Sequence, residues 1–132
     1  MSTTFADRLN RLFATLYPPG RGPFTSAEVL AALVSWGHPV SAGYLSQLRS
    51  GARHRPSPAI TDALASFFRV PPEFFTDDET YERLNNDLLV LEAVRQPEAR
   101  RIAQRCHALS PQSRQAVLAS IEELRHREDL DD

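Results

Sequence analysis

At 132 residues, 42% hydrophobic and 24% charged, the chain is long enough for one globular domain and a small second unit, and its composition excludes wholesale disorder and fibrous structure. No aliphatic run approaches the ~20 residues of a membrane span, and the first residues lack the basic segment of a secretion signal. The single cysteine, Cys106, cannot form an intramolecular disulfide. We therefore expect a soluble cytoplasmic protein. Seven arginines against four acidic residues give residues 1–76 a net charge of +3, whereas eight against thirteen give residues 77–132 a net charge of −5, so the first part is the one suited to a polyanion.

The first predicted element is an amphipathic helix. Apolar residues recur from Phe5 to Leu16 at the spacing of one helix face, which predicts a helix packed on a core. This helix cannot continue into residues 17–23, which contain three prolines and two glycines. We therefore expect a stiff surface loop there.

Two short helices follow the loop. Thr25 and Glu28 have the spacing of a capping box, in which a hydroxyl and a carboxylate each accept a hydrogen bond from a free backbone N–H, and they predict the start of the second helix. Gly37 predicts its end, because glycine readily adopts the left-handed conformation. Shortly afterwards, Ser41 is a suitable N-cap for a third helix that runs to Gly51.

The rest of the pattern is also helical. Ser57, followed by proline, predicts the start of a fourth helix. Residues 70–75 predict a single helical turn that buries two phenylalanines, and residues 76–79 have the spacing of a second capping box before a longer helix. Breaks at Pro97 and Pro111 predict two further helices.

The predicted fold is all-α, because no segment shows the alternation of a strand. We place a domain boundary near residue 76, between an N-terminal bundle, residues 1–76, and a C-terminal helical region, residues 77–132. The second and third helices match the helix-turn-helix plan, in which the second of the pair enters the major groove of DNA. Leu45 and Leu48 give the third helix an inward edge and leave small polar residues facing outward.

A family resemblance rests on several pieces of the sequence. They are Tyr44-Leu45-Ser46-Gln47-Leu48-Arg49-Ser50-Gly51, the following Arg53 and Pro56-Ser57, Ala63-Leu64-Ala65-x-Phe67-Phe68-x-Val70, and Phe74-Phe75-x-Asp77-Asp78. Together these segments resemble the Xre/Cro-type helix-turn-helix family, in a form typical of actinobacterial nucleoid-associated regulators. The resemblance covers nearly the whole chain. It implies a homodimer formed through the C-terminal helices, two heads that bind double-stranded DNA, and a role in transcription regulation and chromosome organisation. It also leaves room for higher-order assembly on DNA.

The resemblance also implies which residues contact bases. In this family the start of the third helix and a polar residue one to two turns later touch bases, which selects Ser41, Ala42, Gly43, Tyr44 and Gln47. Gln47 can make a bidentate contact to adenine worth ~1–3 kcal/mol. Because Ala42 and Gly43 have no side-chain hydrogen-bonding group, direct readout is thin, and we expect DNA shape to supply much of the selectivity. Tyr44 is equally compatible with core packing and with DNA contact.

A basic segment follows the third helix and predicts phosphate contacts. The predicted phosphate-contacting residues are Thr25, Ser26, Arg49, Arg53, His54 and Arg55. The alternative is a solvated loop, but the position directly after the third helix favours contact with DNA. Arg8, Arg11 and Arg21 either contact the DNA backbone or are simply exposed.

Apolar residues beyond residue 76 predict a dimer contact. The longer helix is apolar over more than one face, and a helix of that kind needs partners on two sides, of which a second subunit can supply one. The predicted dimerisation residues are Leu84, Leu88, Leu91, Val117, Ile121 and Leu124. The alternative is that these helices complete a monomeric core.

The sequence predicts no enzyme. Cys106 lies in an apolar stripe and the histidines have no ligand spacing, so a buried thiol is favoured over a metal site. No catalytic arrangement, cofactor motif or small-molecule site stands out. The alternative function is a helix-turn-helix module that binds another protein, such as an antitoxin. The arginines beside Gln47 favour DNA, because a protein-binding module would not need them.

Overall fold

The computed structural model describes residues 3–130, and every regular element in that range is helical, which confirms the all-α class. The helices are α1 (Phe5–Thr15), α2 (Ser26–Ser35), α3 (Ala42–Ser50), α4 (Pro58–Phe68), α5 (Glu73–Thr76), α6 (Asp78–Val94), α7 (Pro97–His107) and α8 (Pro111–Arg127). The chain forms two compact units, Met1–Leu91 and Glu92–Asp132. In the described range, no helix combines the length and apolarity needed to cross a bilayer.

The core of the first unit is built on α1. Thr4 and Asp7 form a capping box at its start, and its apolar face is completely buried at Leu9 and Leu12. This face contacts α3 and α5, while α2 contacts α3 and α4. Each fully buried leucine contributes about 1.5–3 kcal/mol relative to an exposed position, so the apolar stripe predicted from the sequence is the main attachment of α1.

The turn between α2 and α3 has the predicted local structure. Gly37 has a φ of 83°, and the N–H of His38 donates to the Leu33 carbonyl at 2.8 Å, which closes the end of α2. The Ser41 hydroxyl then accepts a hydrogen bond from the Tyr44 N–H at 3.0 Å. The two helices are therefore joined by a short connection that is capped on both sides.

The start of α6 differs from the prediction. The expected capping box at residues 76–79 is wrong, because Thr76 is the last residue of α5. Asp77 takes the capping role: its carboxylate accepts from the Thr80 N–H at 2.9 Å and from the Thr80 hydroxyl at 2.6 Å. These hydrogen bonds lower the pKa of Asp77.

The first unit continues into α6, beyond the boundary predicted near residue 76. Leu88 is only 6% exposed, and Tyr81 and Leu84 pack against the same core. The predicted dimer contact at Leu88 therefore needs correction, since this side chain is buried in its own chain, and Leu84 is half-buried against the same core. The opposite face of α6 carries the exposed Leu89 and Val90.

Arg8 is a buried residue of this unit and is neither a surface cation nor a candidate for DNA contact. Its guanidinium donates to the Thr3 hydroxyl at 2.6 Å and to the Phe74 carbonyl at 3.3 Å, and it is paired with Asp78. It also lies 4.5 Å from the centre of the Tyr81 ring. Because a buried charge is tolerated only when it is paired and hydrogen-bonded, this set of contacts explains its burial.

The second unit consists of α7 and α8, which contact each other, together with the last residues of α6. Several apolar side chains in this unit are exposed in the single chain. They are Val94, Ile102, Leu109, Leu118, Ile121, Leu124 and Leu130. Cys106, predicted to be buried, is only half-buried.

Candidate nucleic-acid interface

The third helix has one buried and one open side. Leu45 and Leu48 are completely buried, and they fix the rotation of α3 about its axis. The opposite side exposes Ala42, Gly43 and Gln47 to solvent. A Cβ added at Gly43 would meet only the Ser41 hydroxyl oxygen, at 3.9 Å, so the space in front of this face is open.

Gln47, Arg53 and Tyr44 form a cluster on the open side, which we call the Gln47 cluster. The Gln47 Oε1 atom accepts hydrogen bonds from Arg53 Nε at 3.2 Å and Nη2 at 3.1 Å. The Arg53 guanidinium lies 4.8 Å from the centre of the Tyr44 ring. Tyr44 is half-buried and packs against the core, so this one ring both joins the core and borders the open surface.

The Gln47 cluster alters one predicted contact. A bidentate contact to adenine needs the glutamine oxygen as an acceptor for the adenine amino group. In this structure that oxygen already accepts two hydrogen bonds from Arg53, whereas the amide nitrogen, Nε2, donates to no acceptor among the described residues. Gln47 is exposed as predicted, but its side chain offers only the Nε2 hydrogen-bond donors to the open surface, because its acceptor oxygen is occupied.

Arg49 is partly buried in a polar crevice and is not part of a solvated loop. Its Nε donates to Asn10 Oδ1 at 2.9 Å, its Nη1 donates to the Ser26 hydroxyl at 3.1 Å, and the guanidinium lies 3.8 Å from the centre of the Phe13 ring. Burial lowers the pKa of Arg49, and within residues 3–130 no carboxylate pairs with it. A partly desolvated guanidinium without an acidic partner favours the binding of an anion. The crevice lies between α1, α2 and α3. The crevice is lined by Asn10, Ser26, Ala42, Ser46, Arg49 and Ser50.

The start of α2 is occupied by a carboxylate. The Thr25 hydroxyl accepts from the Glu28 N–H at 3.2 Å, and Glu28 accepts from the Thr25 N–H at 3.0 Å. Arg21 pairs with Glu28 at 2.7 Å, and this contact, together with the capping hydrogen bonds, lowers the pKa of Glu28 to about 2. Thr25 also donates its hydroxyl to Glu28 at 3.2 Å. The predicted phosphate contact at Thr25 is therefore not supported, because its donors serve the cap.

The loop after α3 holds its basic residues at the surface. Arg53, His54 and Arg55 are exposed, and the buried Pro56 follows them. The Arg53 N–H donates to the Gln47 carbonyl at 3.1 Å, which folds the loop back over the end of α3. Arg53 and Gln47 thus share one surface, and His54 and Arg55 follow Arg53 on the exposed loop.

One residue of this surface was not predicted from the sequence. Asn10 of α1 donates through its side-chain amide to the Arg49 carbonyl at 2.8 Å and accepts from the Arg49 guanidinium. Asn10 is one of several polar residues on α1, and no local pattern distinguishes it. Its role depends on a contact across 39 positions of the chain.

Comparison with known proteins identifies relatives of this chain. No family model matches it. Two proteins named nucleoid-associated protein EspR, from Mycobacterium tuberculosis strains CDC 1551 / Oshkosh and ATCC 25618 / H37Rv, are each 59% identical to it over 131 residues, which is 99% of this chain and 99% of each relative. The family resemblance inferred from the sequence motifs is likewise to nucleoid-associated regulators.

Proposed function

Because this chain belongs to the EspR family of nucleoid-associated proteins, we propose that it binds double-stranded DNA and regulates transcription, as a homodimer of Xre/Cro-type helix-turn-helix units in the nucleoid. The observation that carries this proposal is the surface made by α3 and the loop that follows it. That surface combines an open helix face with exposed arginines.

The recognition element is α3. Its buried leucines hold it against the core, and its open face begins with the N-cap Ser41, Ala42 and Gly43, which present little or no side chain. Such a face can approach the major groove, about 12 Å wide, without steric obstruction. Gln47 is the one long polar side chain of that face and is the residue best placed to contact a base edge.

The phosphate contacts come from two places. Arg53, His54 and Arg55 lie on the exposed loop, and Arg49 lies in the crevice beside Ser26. Because no carboxylate in the described part of the chain pairs with Arg49, and its partial burial removes some of its water, a phosphate oxygen in the crevice would complete its hydrogen bonding. Such contacts fix the position of the helix on the duplex and carry no sequence information themselves.

The dimer contact is proposed to lie on the second unit. Leu118, Ile121 and Leu124 of α8 are 48%, 40% and 48% exposed, and Ile121 and Leu124 follow Val117 at the spacing of one helix face. A head with few base contacts binds weakly, and joining two heads makes the second binding event intramolecular. A dimer therefore compensates for the sparse readout of α3.

The test is a fluorescence anisotropy titration of the full chain on random and AT-rich duplexes at two salt concentrations, with the mass in solution measured in parallel. The proposal predicts a dimeric mass, binding to both duplexes, weaker binding at the higher salt concentration, and a modest preference between sequences. Absence of binding to either duplex would refute it and would favour the alternative of a protein-interaction module. A steep loss of affinity for many single-base changes would refute the sequence-tolerant mode.

A further inference from the structure

We propose that Arg53 sets the base preference of this protein by holding the Gln47 amide so that it offers only hydrogen-bond donors, which selects guanine over adenine. This inference rests on the proposed DNA binding and concerns what α3 reads once it is bound. Arg53 acts here as a positioning residue, and Gln47 is the group that contacts the base.

The orientation of the Gln47 amide follows from chemistry. A guanidinium carries five N–H donors and no acceptor. The atom of Gln47 that lies 3.1–3.2 Å from Arg53 Nε and Nη2 must therefore be the oxygen, because a nitrogen there would place donors against donors. Nε2 is left on the other side, with no acceptor within residues 3–130.

Arg53 is itself held in place from two sides. Its guanidinium lies over the Tyr44 ring, and its own N–H donates to the Gln47 carbonyl. Gly51 makes this possible: it ends α3 with a φ of 85°, a left-handed conformation that glycine adopts without strain. The loop therefore returns to the helix, and both the backbone and the side chain of Arg53 are fixed beside Gln47.

The two arrangements of Gln47 read different bases. A glutamine with a free oxygen accepts from the adenine N6 amino group while it donates to N7. With the oxygen occupied, the adenine amino group has no acceptor. Guanine presents two acceptors, N7 and O6, and both match the free Nε2 donors. The pair can be kept on DNA, because the two hydrogen bonds to the Gln47 oxygen use only two of the five Arg53 N–H donors and the remaining donors are available to a phosphate.

The experiment uses the full chain and a pool of duplexes that vary at each position of a preferred site. The position read by Gln47 is the one whose base preference disappears in Gln47→Ala. At that position the wild-type protein is expected to bind guanine about tenfold more tightly than adenine, which corresponds to about 1.4 kcal/mol. In Arg53→Met, which keeps an apolar side chain over Tyr44 but has no donors, the ratio is expected to fall to one or to reverse in favour of adenine.

Arg55→Met is the matched control, since it also removes one exposed charge from the same loop. It is expected to weaken binding to every sequence while keeping the wild-type ratio of guanine to adenine. A wild-type preference for adenine, an unchanged ratio in Arg53→Met, or an equal change of ratio in Arg55→Met would overturn the inference. So would a Gln47→Ala variant that keeps every base preference. Absence of DNA binding by the wild-type chain would instead refute the proposed function itself.

Discussion

The phosphate role of the loop can be tested through the salt dependence of DNA binding. Arg55 is exposed, and its side chain forms no hydrogen bond or ion pair within residues 3–130, so Arg55→Ala removes one charge without disturbing the fold. Removing one phosphate contact makes the negative slope of log K against log salt less steep by about 0.9. In a dimer with both heads on DNA the substitution removes two contacts, so the slope becomes less steep by about 1.8.

The size of this change separates one bound head from two. Between about 50 and about 200 mM salt, a slope change of about 0.9 alters the ratio of wild-type to variant affinity about 3.5-fold, and a change of about 1.8 alters it about twelvefold. Anisotropy titrations at several salt concentrations measure the slope. Arg101→Ala, which removes an exposed charge from α7, is the control and should leave the slope unchanged. If Arg55→Ala keeps the wild-type slope, or weakens binding to only one sequence, the phosphate assignment is refuted.

Three further predictions concern stability, pH and assembly. Leu88→Ala should lower the free energy of unfolding in a urea titration by about 2–5 kcal/mol, because the Leu88 side chain is buried. Leu89→Ala, on the exposed face of α6, should change that free energy by less than ~0.5 kcal/mol. Equal losses in the two variants would contradict the packing of α6. Arg21→Ala should raise the pKa of Glu28 from about 2 toward 4.5 in an NMR titration. Since the folded-state pKa is depressed, the stabilisation by this pair is present above pH 4.5 and is lost as the pH falls toward 2, so over that window the wild-type protein should lose more stability than the variant. Ile121→Asp should reduce the dimer fraction in sedimentation equilibrium while the first unit keeps its helical content; an unchanged dimer fraction would exclude α8 from the contact.

The elements that could be predicted from the sequence are those encoded by local signals. The capping residues Thr25, Ser41 and Ser57 lie directly before the helices they start, and Gly51 ends α3 as expected. These signals work over three or four residues, so they do not depend on the rest of the fold. The prediction is wrong at α6: it places the capping box on residues 76–79, but Thr76 belongs to α5 and Asp77 takes the capping role.

The side-chain contacts that could not be predicted join distant parts of the chain. The burial of Arg8 depends on Asp78, and the crevice around Arg49 depends on Asn10. Periodicity also could not decide which face of α6 is covered, because apolar residues occur on more than one face and only the tertiary structure selects Leu88 over Leu89. For the same reason the sequence places Gln47 on the outer face but does not show that Arg53 occupies its oxygen.

The open face of α3 has a consequence for how such proteins diverge. The buried leucines, Tyr44 and Arg49 secure the helix. A Cβ added at Gly43 would meet only the Ser41 hydroxyl oxygen, at 3.9 Å, and most residues favour a helix more than glycine does, by about 0.5–1 kcal/mol. A larger polar residue can therefore be introduced at Gly43 without loss of folding. The open face of the helix can thus change its chemistry while the buried residues that hold the helix stay the same.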